Sequence, residues 1–306
     1  MKQKRNYIRT LVMAVLTMAC CHGEVQAQQP DFSFEDIRQG NITMPFRKAA
    51  ISSVPGERPA VVVYLHGGSS KGDDNTTQMG EQGISLITNY LTSNRVNALM
   101  LVPQCPKDKS WNGPMLGVIK AMIERYTVGS DARPASADAT KVYIFGGSMG
   151  GTGTWSMLSA YPGLFAAAMP VAGNPSTCVA GNVARTPVFT VMGTADAIMS
   201  VSTAADFILQ LQTLGDEAQM ETEEGWTHED TCTKSYTPQR LDWVFAHVSD
   251  SSAGIENIGG SHGTDTVATT YYTPDGRQTE RAESHGLHIK VERHADGSVT
   301  ASKVML

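Results

Sequence analysis

Cysteine is scarce in this sequence: there are five, two of them adjacent at Cys20 and Cys21. Cys105, Cys178 and Cys232 remain beyond that pair, an odd number that excludes a disulfide-dense scaffold. One bridge with one free thiol, or three buried thiols, both stay open. Cys178 and Cys232 each follow an expected strand end on one face of a sheet, which makes them the candidate pair. No Cys or His spacing resembles a zinc site, so no metal and no cofactor are expected. Past residue 27, clusters of Lys and Arg are also missing, and with them the contacts that bind nucleic acid by releasing counterions. Past the N-terminus, no run approaches the roughly 20 apolar residues that a transmembrane helix needs.

The N-terminus itself reads as a leader. Lys2, Lys4, Arg5 and Arg9 precede the apolar run Leu11 to Cys20, and Val25-Gln26-Ala27 supplies small residues for cleavage. This is the pattern of a secretory signal peptide over residues 1–27, and its apolar run is too short to remain as a membrane helix. Removing it changes the net charge from −6 to −9, with 20 bases against 29 acids. The expectation is an acidic, exported protein, secreted, periplasmic or at the cell surface. Lipid anchoring at Cys20 is the weaker reading, because Leu16 stands one place too far from it for a good attachment box.

From about Asn41 to Val248, strand-like and helix-like segments alternate. Arg58 to Leu65, Ala98 to Val102, Lys141 to Phe145, Phe165 to Val171, Pro187 to Met192 and Ala218 to Glu223 read as strands. Met79 to Leu91, Met115 to Tyr126, Gly153 to Ala160, Ala204 to Leu214 and Gln239 to Ala246 read as helices. That order predicts one α/β domain over residues 28–248, with a mostly parallel sheet covered by helices on both faces. Residues 249–306 open on a linker composition and continue as a small all-β tail, with turn signals at Pro274-Asp275-Gly276 and Asp296-Gly297.

The chemistry concentrates at Gly146-Gly147-Ser148-Met149-Gly150, a G-x-S-x-G directly after a strand and before a helix. A serine hydroxyl becomes nucleophilic when a tight turn presents it to a base, and glycines flanking such a turn remove Cβ clashes. The same segment lacks the glycine spacing of a dinucleotide site and the Gly-Lys-Ser/Thr of a P-loop. An acid and a histidine should then follow in loops after later strands. Asp196, in Gly193-Thr194-Ala195-Asp196, and His228, in Gly225-Trp226-Thr227-His228, stand in those places and in that order. Oxyanion donors are expected from the Met149 N–H and from the loop His66-Gly67-Gly68, with Gly68 preferred and Gly67 the alternative; His66 is expected to bond within its own loop. Trp111 and Trp226 are candidates for lining a substrate cleft, with core packing the competing role.

The blocks Leu65-His66-Gly67-Gly68, Lys71-Gly72-Asp73-Asp74-Asn75, Val102-Pro103-Gln104-Cys105-Pro106 with Trp111, and Gly147 through Trp155 resemble those of small secreted α/β-hydrolases. These are esterases related to polyhydroxybutyrate depolymerases, feruloyl esterases and dienelactone-hydrolase-like proteins of the phospholipase/carboxylesterase type. The resemblance covers about residues 40 to 248. It implies catalytic roles for Ser148, Asp196 and His228, and a small-molecule or polysaccharide-linked ester as substrate, such as an acetyl or feruloyl ester. A serine peptidase similar to prolyl peptidases and a catalytically silent binding protein are the alternatives. The tail, from Gly254 to Lys303, resembles the sorting domains of the type IX secretion route, which implies secretion machinery as a partner; carbohydrate binding is its alternative.

Overall fold

The computed structural model describes residues 30–129, 134–249, 266–272, 278–279, 287–294 and 299–305. The expected leader, the alternative of a lipid at Cys20, the linker beyond Ser249 and the expected turns at Pro274-Asp275-Gly276 and Asp296-Gly297 lie outside them. The described parts fall into two units, divided near residue 254.

The larger unit is built on eight strands: β1 Ser33–Gln39, β2 Ile42–Ile51, β3 Ala60–Leu65, β4 Ala98–Pro103, β5 Val142–Gly147, β6 Ala167–Val171, β7 Val188–Gly193 and β8 Ala218–Glu223. Their order across the sheet is β1-β2-β4-β3-β5-β6-β7-β8. The β1–β2 and β2–β4 pairs are antiparallel and the remaining pairs parallel. Among the described residues seven α-helices accompany the sheet: α1 Gln82–Ser93, α2 Pro114–Thr127, α3 Met149–Ala160, α4 Ala180–Val183, α5 Val201–Thr213, α6 His228–Lys234 and α7 Pro238–Phe245.

Central strands buried on both faces need apolar residues at every position, and β3, β4, β5 and β7 are buried throughout. Alternation then divides their side chains between two cores. Val61, Val63 and Leu65 of β3 join residues of α2, α3 and α5 on one face; Val62 and Tyr64 join residues of α1 and α7 on the other.

The hairpin β1–β2 was not legible as strands. In β2, Met44 and Phe46 enter the first core while Ala49 and Ile51 enter the second, so the strand changes phase midway and loses the alternation that marks a strand. Pro45 adds a second contrary signal.

The candidate disulfide is corrected: Cys105, Cys178 and Cys232 are all free. Cys178 packs against the first core and Cys232 against the second, so the sheet stands between them. The smaller unit is an antiparallel sheet of β9 Thr266–Tyr272, β10 Gln278–Thr279, β11 Leu287–His294 and β12 Val299–Met305, in the order β10-β9-β11-β12. No helix among the described residues is long and apolar enough to cross a membrane.

Candidate active site

Open α/β sheets bind ligands beyond the carboxyl ends of their strands, and three chain segments meet there. Ser148 directly follows β5, Asp196 lies in the loop after β7, and His228 lies beyond β8. Ser148 occupies the N-cap position of α3 with φ 58° and ψ −120°, a left-handed backbone that non-glycine residues rarely adopt. Close packing enforces the turn. A Cβ on Gly146 would lie 2.5 Å from the Gly150 carbonyl, and one on Gly150 would lie 1.8 Å from the Leu65 carbonyl oxygen. Strand end and helix start therefore touch backbone to backbone, which leaves Ser148 projecting from the bend.

The imidazole of His228 joins the other two residues. Its Nε2 lies 2.7 Å from Ser148 Oγ and its Nδ1 2.8 Å from Asp196 Oδ2. The Asp196 side chain is fully inaccessible, and its other oxygen accepts the Ile198 and Met199 N–H groups at 2.8 and 2.9 Å. Burial pushes the Asp196 carboxyl upward, but the Met199 N–H, His228 and the Ile198 N–H together hold it below the ordinary carboxylate value. Asp196 is thus an ionised acceptor. The proton of the neutral imidazole sits on Nδ1, and Nε2 is left to accept from the Ser148 hydroxyl.

His228 does not sit in a loop; it is the first residue of α6. Thr227 caps that helix through the Asp230 N–H, and Asp230 returns a bond to the Thr227 N–H. Thr227-x-x-Asp230 is a capping box, a signal already present in the sequence.

The two expected donors each open a helical segment, Met149 at the start of α3 and Gly68 at the start of a 3₁₀ turn over Gly68–Ser70. First-turn N–H groups have no partner within the helix and are free to face a ligand. Gly67 is engaged elsewhere, donating its N–H to Glu81 Oε1 at 2.9 Å. His66 bonds around its own loop. Its Nδ1 meets the Gly67 carbonyl at 2.7 Å and its Nε2 accepts the Cys105 N–H at 2.9 Å, while burial holds its pKa below the ordinary value.

A cleft of about 730 Å³ opens over these residues, lined among others by Gly68, Ser70, Glu81, Ile198, Glu229 and Cys232. Neither tryptophan lines it. Trp111 is buried, donates its indole N–H to the His66 carbonyl at 2.9 Å and fills the space beside Gly153, so it braces the loop from behind. Trp226 is half-buried with the Lys234 ammonium over its ring; its backbone carbonyl accepts the Ala195 N–H. Cys232 is the neighbour that sequence reasoning did not place. Its Sγ lies 4.0 Å from His228 Nε2, with the thiol pushed up to about 12 by burial and by the nearby Glu81 carboxylate. Among the described residues, no group of His, Cys, Asp and Glu is arranged to hold a metal.

No protein-family model matches the chain, and no curated protein matches it in sequence. Solved structures do. A thermostable esterase is similar with a TM-score of 0.64 at 25% identity, over 71% of this chain; the chain spans 63% of that protein's length. A feruloyl esterase module from Clostridium thermocellum is similar with a TM-score of 0.57 at 13% identity, covering 73% of this chain and 90% of that one. An acylaminoacyl peptidase from Pyrococcus horikoshii is similar with a TM-score of 0.53 at 12% identity, covering 71% and 41%. Strand order, crossover helices and these likenesses agree: the larger unit has the α/β-hydrolase fold.

Proposed function

We propose that this chain is an exported serine hydrolase that cleaves small carboxylic esters through an acyl-enzyme. The observation that carries the reading is the unbroken hydrogen-bonded line Ser148–His228–Asp196, with the serine held on a positive-φ turn. His228 Nε2 takes the hydroxyl proton as Ser148 Oγ attacks the ester carbonyl. Asp196 keeps the proton on Nδ1 and stabilises the imidazolium. The Gly68 and Met149 N–H groups receive the oxyanion, the imidazolium protonates the leaving alcohol, and His228 then activates the water that releases the acid.

The walls of the cleft favour a compact acyl group. Glycines and the side chains of serine, threonine and glutamate dominate the lining; among the described residues that line it there is no Phe, Tyr or Trp, and Ile198 is the one aliphatic side chain. A short acyl group on a hydroxyl-rich alcohol suits such walls better than a feruloyl ring, which would leave its apolar faces in water. Export rests on the leader pattern, and delivery through a sorting tail on the resemblance of residues 254–303.

A fluorophosphonate probe should label wild-type protein at Ser148 and leave Ser148→Ala unlabelled. On p-nitrophenyl acetate, butyrate and feruloyl esters, turnover should fall in that order. Absence of labelling on folded protein would overturn the hydrolase reading, and faster cleavage of chromogenic peptides than of esters would replace it with a peptidase.

A further inference from the structure

Glu81 stands immediately before α1, in the N-cap position, yet its carboxylate caps nothing in that helix. It reaches across the cleft floor instead. Oε1 accepts the Gly67 N–H at 2.9 Å and the Ser70 hydroxyl at 2.7 Å, while Oε2 meets the Tyr64 hydroxyl at 3.3 Å. One side chain thus ties three points of a seven-residue stretch, the end of β3, the start of the glycine turn and its close.

That turn presents Gly68. Gly67 abuts the nucleophile, since a Cβ added to it would lie 3.7 Å from the Ser148 Cβ. The bond to Glu81 takes the Gly67 N–H out of contention as an oxyanion donor and fixes the His66–Gly67 peptide; the next unit, which carries the Gly68 N–H, is held at its Gly67 carbonyl by His66 Nδ1 at 2.7 Å and by the N–H of Ser70, the residue whose hydroxyl Glu81 also ties. A peptide with no side chain on either flank has the widest backbone freedom in the chain, and donors stabilise an oxyanion only when held in place beforehand. A carboxylate this near a developing negative charge would oppose it electrostatically; three donors on its two oxygens offset that charge.

We infer that Glu81 is the positioning residue of the oxyanion site, clamping the Gly67–Ser70 turn so that the Gly68 N–H faces the Ser148 reaction centre. The role rests on the hydrolase reading above. Glu81 touches no reacting atom, so its removal should slow acylation and deacylation alike, since both pass through the oxyanion, and leave ground-state binding almost unchanged.

The test is steady-state kinetics on p-nitrophenyl acetate for the wild type, Glu81→Ala, Glu81→Gln and Ser70→Ala, with thermal unfolding of each. Glu81→Ala should lose about 10- to 100-fold in kcat, less than outright deletion of an oxyanion donor, with KM within about threefold. Glu81→Gln, whose amide oxygen can still accept both loop donors, should recover all but about threefold. Ser70→Ala, which removes one tie and keeps the carboxylate, should fall between wild type and Glu81→Ala. An unchanged kcat in Glu81→Ala overturns the role, as does a loss carried by KM. If Glu81→Ala does not fold, a Glu81→Gln enzyme that folds but loses over 10-fold in kcat overturns it equally. A wild type that neither turns over esters nor takes a fluorophosphonate overturns the hydrolase reading first, and the role of Glu81 with it.

Discussion

Asp196 and His228 are 32 positions apart in the chain, yet Oδ2 of one lies 2.8 Å from Nδ1 of the other. That bond decides which imidazole nitrogen holds the proton. Asp196→Asn leaves a side chain of the same shape, but the amide group donates to Nδ1 and moves the proton to Nε2, where it cannot accept from Ser148. The expected loss in kcat is about 10²- to 10⁴-fold with KM and fold retained, measured by ester kinetics and circular dichroism. A variant within threefold of wild type would remove Asp196 from the mechanism.

Gly150→Ala should fail for steric reasons alone. The new Cβ would sit 1.8 Å from the Leu65 carbonyl oxygen, and backbone on both sides has nowhere to move. Thermal melts should show a destabilisation of about 3 kcal/mol or more, roughly 10 °C for a domain of this size, together with loss of fluorophosphonate labelling as the turn shifts. A normal melting temperature would show that strand and helix are less tightly apposed.

Asp216 offers a pH test remote from the cleft. Burial raises its pKa to about 6, and its Oδ2 is buried without a hydrogen bond. The folded state therefore holds this proton to higher pH than the unfolded chain, where an aspartate titrates near 3.9. Stability falls as pH rises from about 4 through about 6 and then levels. Asp216→Asn should remove that fall. Its melting temperature should match wild type near pH 4 and exceed it above pH 7 by about 2–4 °C, which corresponds to about 1 kcal/mol once solvent screening of a half-buried group is allowed for. Parallel melts across pH 4 to 8 would reveal a constant gap, or none, if the carboxyl titrates normally.

The parts of this molecule written in local pattern are legible in the sequence alone. Val61 to Leu65 and Val142 to Phe145 are apolar at every step because both faces of those strands are covered, and a continuous run needs no partner to be recognised. The turn at Ser148 is equally local, since its glycines and serine are adjacent. β2 escaped because its buried residues change faces at Arg47-Lys48. Helix α6 was overlooked despite its capping box, since seven residues hold too little periodicity to stand out. Trp111 and Glu81 show the deeper limit. A tryptophan beside a cleft loop and one behind it have the same sequence neighbours, and Glu81 acts through residues 11 to 17 positions away that no spacing rule connects to it.

The segments bearing Asp196 and His228 are stitched together by three hydrogen bonds: the Thr194 N–H donates to the Glu223 carbonyl at 2.9 Å, the Ala195 N–H to the Trp226 carbonyl at 3.0 Å, and the Gly225 N–H to Thr194 Oγ1 at 2.8 Å. Two of these three ties are blind to side-chain identity. The alignment of Asp196 with His228 can therefore survive wide substitution in both loops, at Ala195, Glu224 or Trp226 for example. Length is what the arrangement does not forgive. One residue inserted between Gly193 and Asp196, or between Glu223 and His228, slips the stitching by a full peptide and separates Asp196 from His228, however conservative the residue added.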